Sequence, residues 1–74
     1  MQLEEALRAV RAELARAQLM YQAFHSAHQG YAVILEEMDE LWSEVRANQR
    51  DVGRIQKEVR QVAAMALRFL LDLC

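Results

Sequence analysis

An all-α chain of three amphipathic helices is the fold class that the sequence predicts, and three observations carry it. The 74 residues contain no proline, so no residue type interrupts a long helix from within. Apolar residues recur at steps of three and four along three separate stretches, the spacing of one face of an α-helix. Between them lie two short clusters of turn and capping residues, His25 to Gly30 and Asn48 to Gly53.

The first helix is expected over Leu3 to Phe24. Its seam of Leu3, Leu7, Val10, Leu14, Ala17, Tyr21 and Phe24 alternates steps of four and three, the pattern of a heptad repeat. Its outer face carries Glu4, Glu5, Arg8, Arg11, Glu13 and Arg16, and Glu4 stands four residues before Arg8, a favourable spacing of opposite charges. That face is expected to meet water.

Ser26 followed by Gln29 fits a capping box, which predicts a second helix from Ala27 to Ala47. Its apolar stripe is Tyr31, Ile34, Leu35, Met38, Leu41, Trp42 and Val45. Gly30 falls in the first turn, where it costs up to about 1 kcal/mol relative to alanine. Asp51 is the expected cap of the third helix, because its carboxylate can accept from the amides that follow.

That helix runs to the C-terminus along Val52, Ile55, Val59, Val62, Ala66, Phe69, Leu70 and Leu73. Beyond Val62 it is apolar nearly all the way round, with Ala63, Ala64, Met65, Leu67 and Leu71 off the seam. Such a helix is expected to be buried on several sides.

Size points the same way. Residues 1–74 make one domain, and a domain this small hides only about 60% of the surface of its unfolded chain. The single cysteine, Cys74, forms no internal disulfide, and no Cys/His spacing suggests structural zinc. Hydrophobic residues make up 54% of the chain, so oligomerisation is the expected remedy: a homodimer or homotetramer that completes four-helix bundles. A net charge of −2 argues against a partner bound through its phosphate backbone, and so against nucleic acid. The start M-Q-L-E-E has no apolar signal core, and Val62 to Cys74 is broken by Arg68 and Asp72. No membrane span and a cytoplasmic location are therefore expected.

Five carboxylates, Glu36, Glu37, Asp39, Glu40 and Glu44, crowd into nine residues with no lysine or arginine among them. Glu36 with Glu40, and Glu40 with Glu44, are like charges four apart, each pair unfavourable by about 0.2–0.5 kcal/mol on an isolated helix. A bound cation would relieve them. On the third helix Glu58 borders the seam as Glu37 does on the second, and Gln61 takes the place corresponding to Glu40. Packed side by side, the two helices would bring Glu37, Glu40, Glu58 and Gln61 to one cavity, an oxygen set suited to Mg²⁺.

On these residues the chain resembles the MazG-like all-α nucleotide pyrophosphohydrolases, a group related to the dimeric dUTPases. E-E-M-D-E at Glu36, Glu37 and Glu40 matches the family's E-E-x-x-E motif, and E-V-R-Q from Glu58 to Gln61 stands where its E-x-x-D does. The likeness spans about Gly30 to Leu70. It implies Mg²⁺, with Mn²⁺ as a substitute, held by Glu37, Glu40, Glu58 and Gln61 against a nucleoside triphosphate. It also implies hydrolysis to monophosphate and pyrophosphate, with Glu36 or Glu37 as the base. Gln61 departs from the pattern: its oxygen can ligate, but it lacks the charge and basicity of the family's aspartate.

Other residues have plainer readings. Arg46, Arg50, Arg54, Lys57 and Arg60 are expected on the solvated outer face, although some could meet a polyphosphate. His25 and His28 suit a polar turn, Tyr31 and Trp42 suit the core, and Cys74 has no activating neighbour. Glu-x-x-His pairs of the di-iron kind are absent. The competing function is a non-catalytic helical oligomerisation or interaction module whose acidic stripe serves solubility or a basic partner.

Overall fold

The computed structural model describes residues 1–74 and contains three helices and no strand: α1 (Leu3–Met20), α2 (Ala27–Val45) and α3 (Val52–Leu73). Two of the three starts follow the expected chemistry. Ser26 Oγ accepts from Gln29 N at 3.1 Å, and Asp51 Oδ1 accepts from Arg54 N at 3.2 Å. Gln29 Oε1 reaches back as a capping box requires, but to His25 N at 2.6 Å, one residue before the cap.

α1 stops short of its seam. At Tyr21 the backbone turns extended, with φ −128 and ψ 150, so Phe24 reaches the core from a linker instead of from a helix. The last turn of α3 explains the change. Asp72 Oδ2 accepts from Phe24 N at 3.0 Å, and Arg68 Nη2 donates to Gln22 O at 2.9 Å. Side chains thus satisfy backbone groups that a continued helix would have paired internally. α2 likewise ends at Val45, before Ala47, where Arg50 Nε donates to Val45 O at 3.1 Å and caps the last turn.

α3 lies between the other two. α1 runs beside it in the same direction, Val10 sharing a surface with Ile55 and Val59, and Gln22 meeting Arg68. α2 returns antiparallel, with Gly30 against Phe69 and Leu73. α1 and α2 do not pack on each other: no Cα of one lies within 8 Å of a Cα of the other. The result is a trough with α3 as its floor. Its core is small, made of Ala17, Phe24, Ala64 and Met65, with Leu14, Val33, Ile34, Phe69 and Leu73 packed around them.

The expected seams are only partly covered. Tyr31, Leu35, Met38 and Trp42 on α2, and Val52, Val59 and Leu70 on α3, are exposed, so Tyr31 and Trp42 are not core. The end of α3 is not enclosed either, since Leu67, Leu70 and Leu71 face outward. Two neighbours cover about half of a helix's circumference. They take the half that carries the small Ala64 and the side chains of Arg68 and Asp72 that hold the linker, leaving the apolar ridge outside. The chain consequently exposes 5656 Å², against about 4,700 Å² for an average folded monomer of its mass. No helix is long and apolar enough to cross a membrane.

Gly30 has a packing reason. A Cβ built there would lie 2.6 Å from Phe69 Cδ2, 3.0 Å from Cε2 and 3.2 Å from Leu73 Cδ1, so only glycine lets α2 and α3 approach this closely. Alanine gains about 1 kcal/mol of helix propensity but overpacks a contact, which typically costs 1–3 kcal/mol. Gly30→Ala is therefore expected to lower unfolding free energy by about 1 kcal/mol in urea titration; a gain in stability would show that the ring yields freely.

Candidate metal centre and cleft

α2 and α3 place their acids together because Glu37 and Glu40 stand one turn apart on α2 while Glu58 stands opposite on α3. One carboxylate oxygen from each of Glu37, Glu40 and Glu58 lies within 4.8 Å of the others. Gln61 completes the group. With its nitrogen turned toward the acids, its amide donates to Glu58 Oε2 at 2.9 Å and to Glu37 Oε2 at 3.0 Å. In this orientation it acts as a donor between two carboxylates rather than as a ligand. Its oxygen comes round to the acids only if the amide turns over.

Crowding shows in the protonation of the group. Desolvation, then the negative charges of Glu40 and Glu58, push the carboxyl of Glu37 up to about 7. Burial, and then Glu40, raise that of Glu58. Glu36 is exposed, one position away on the cleft wall, and is not among the converging acids. Asp39 and Glu44 also stand outside that group.

The trough between α1 and α2 is a cavity of about 650 Å³. At one end its wall is acidic: Glu36, Glu37 and Glu40 from α2, Gln61 from the floor and Glu13 from α1. At the other end are Tyr21, Phe24 and His25 of the linker, with Arg68 of α3. His28 is exposed and outside the wall.

Two residues expected to sit on the outer face of α1 therefore belong to the cleft. Glu13 is half-buried, and Arg16 Nη2 donates to its Oε1 at 2.6 Å, which holds the Glu13 carboxyl below the usual carboxylate range. Arg68 was legible only as a break in an apolar run, yet its side chain is 4% exposed. The signal that finds it is a polar stripe on α3 at helical spacing, Gln61, Arg68 and Asp72, running along the face turned inward. None of Arg46, Arg50, Arg54, Lys57 or Arg60 lines the cavity; the first four are exposed as the outer-face reading expects, whereas Arg60 is half-buried beside Val10, Ile55 and Val59 between α1 and α3. Comparison with protein families, with curated proteins and with solved structures finds no match for the chain.

Three carboxylates and an amide suit a hard divalent cation chemically, since Mg²⁺ and Ca²⁺ take oxygen donors and carboxylates above all. Without one, folding holds protons on the cluster. Glu37 has a higher pKa folded than the ordinary 4.5, so its contribution to stability is complete below about 4.5 and lost as pH rises through about 7. In chelator, the melting temperature should fall between pH 5 and pH 8, and Glu37→Gln should flatten that slope. An equal slope in the variant would place the proton elsewhere.

Proposed function

We propose that the chain is a Mg²⁺-dependent nucleoside triphosphate pyrophosphohydrolase of the MazG-like kind, or a nucleotide-binding relative with weakened activity. One observation carries the reading: acids from two helices, Glu37, Glu40 and Glu58, converge, and Glu37 and Glu40 with Gln61 line a cavity large enough for a small organic ligand. Mg²⁺, or Mn²⁺ in its place, would supply charge neutralisation of the phosphates and activation of water.

The protein's own groups do the rest. Glu37, Glu40 and Glu58 hold the cation, and Gln61 joins them once its amide turns its oxygen inward. Glu37 and Glu36 are the two candidate bases, and a bound cation would offset the neighbouring charges that raise the Glu37 carboxyl in the metal-free cluster. Glu36 stands beside it on the wall, free of the cluster, and takes the proton if Glu37 is committed to metal. Replacement of aspartate by Gln61 lowers the site's charge by one, so binding weaker than in the family is expected.

A different observation supports oligomerisation, the property shared with the interaction-module reading. The excess of exposed surface over an average monomer is about 950 Å², close to the roughly 800 Å² that each partner buries in a standard interface. It coincides with an apolar ridge on α2 and α3, where Trp42 is 58% and Leu70 60% exposed. A second copy of this chain is the occupant proposed here, as a homodimer or homotetramer. Light scattering during gel filtration should give at least twice the chain mass, and Trp42→Glu with Leu70→Glu should reduce it to one chain. A wild-type monomer at high micromolar concentration would refute this.

Metal titration tests the site itself. At ten times its dissociation constant, Mg²⁺ stabilises by about 1.4 kcal/mol, which in a domain this size raises the melting temperature by roughly 5–10 °C. Glu40→Gln should abolish the rise, and wild type with Mg²⁺ and a panel of nucleoside triphosphates should release pyrophosphate. Metal binding without pyrophosphate from any of them would leave the binding relative; a melt indifferent to both ions would leave the interaction module.

A further inference from the structure

We propose that Arg68 is the anion anchor of the cleft, receiving a phosphate group of the bound ligand at the end opposite the acids. The proposal rests on the nucleotide reading above and adds to it a recognising residue that neither metal nor catalysis requires.

Arg68 is a full positive charge inside the protein, 4% exposed, and no carboxylate oxygen lies within 4.0 Å of it. Asp72, one turn further along α3, is engaged with Phe24 N. The partners that Arg68 does have are neutral. Nη2 donates to Gln22 O at 2.9 Å, and Nη1 to Met65 Sδ at 3.2 Å. The guanidinium lies 4.2 Å from the centroid of the Phe24 ring and 5.9 Å from that of Tyr21.

A guanidinium carries five N–H donors, so most of its hydrogen-bonding capacity is left over. Desolvating a cation costs several kcal/mol unless a counter-charge or dense hydrogen bonding offsets it. Aromatic faces offset part of that cost but supply no acceptor for the N–H groups, and a thioether sulfur is a weak acceptor. A group so placed on the wall of a 650 Å³ cavity is short of one anion, and the cavity is where an anion can enter.

The chemistry of that anion follows from the opposite wall. Gln61 and Arg68 are seven positions apart on α3, about 10 Å along the axis. A ligand lying along the floor meets a cation-seeking carboxylate cluster first and a guanidinium second. Polyphosphates satisfy both ends, because the same oxygens chelate a divalent ion and accept the paired hydrogen bonds of arginine. Arg16 lines the same cavity but is exposed and already neutralised by Glu13, so Arg68 is the stronger receptor.

Calorimetric titration with inorganic tripolyphosphate in excess chelator isolates this anchor from any metal. Wild type should bind, Arg68→Gln should weaken binding at least tenfold, Arg68→Lys should recover only part because it lacks the fork, and Arg54→Gln, outside the cavity, should change nothing. Arg68 also holds the linker, so a second measurement uses the unmutated protein: the Nε–H resonance of Arg68 in ¹⁵N-labelled chain should shift on adding tripolyphosphate. Absence of binding in chelator, unchanged affinity in a folded Arg68→Gln, or a still resonance would each overturn the anchor. The hydrolase reading fails separately. If Mg²⁺ leaves the melt unmoved while Arg68 still governs tripolyphosphate binding, the anchor stands alone; if Mg²⁺ acts and Arg68→Gln binds normally, the anchor falls and the metal centre remains.

Discussion

Everything in this chain depends on the polar side chains that α3 carries on the face it turns toward its two neighbours. In most helical domains the middle helix presents its most apolar stripe inward, where burial yields about 25 cal/mol for each Å² removed from water. Here the inward face sets Gln61, Arg68 and Asp72 among the apolar Ala64, Met65, Phe69 and Leu73. Hydrogen bonds do part of the work that packing does elsewhere. Asp72 and Arg68 hold the linker, Gln61 ties Glu37 to Glu58, and the apolar contacts that remain are few.

That arrangement explains why the chain is both thinly packed and chemically loaded. Large apolar side chains, Leu70 and Leu71 among them, stand outside, where they are available to a neighbour. Charged groups line the cleft, with Glu37 and Glu40 toward one end and Arg68 toward the other. Burial, then the neighbouring carboxylates, raise Glu37 and Glu58 near Gln61, while Arg68 lies among aromatic rings with no carboxylate oxygen within 4.0 Å. Each end lacks what the other offers, and the length of α3 between them keeps the two from neutralising each other.

The sequence disclosed the helices almost to their ends, because capping is local chemistry: Ser26 and Asp51 act on amides three residues away. It also disclosed the pairing of Glu37 and Glu40 with Glu58, since equal offsets from two apolar seams put them at one border. What it hid were long-range choices. Phe24 continues a heptad pattern, yet its amide is taken by Asp72, forty-eight residues away. Periodicity could not say which face of α3 would turn inward, because an apolar ridge and a polar stripe were both available. The tethering of the linker to Arg68 and Asp72, with the seating of Phe69 and Leu73 against Gly30, goes with the face observed. Glu13 and Arg16 were misplaced for a related reason: a charged face looks solvated unless the groove beside it is known.

The separation of α1 from α2 has a mechanical consequence. Because no Cα of one helix lies within 8 Å of a Cα of the other, widening the gap between them disturbs chiefly the contacts that each makes with α3. The connecting segment is fastened to the last turns of α3 at Gln22 and Phe24, so such a movement resembles a jaw with its pivot at the arginine end and the glutamates part-way along its arms. Guests of differing girth then meet the glutamates at differing widths while the pivot keeps its geometry.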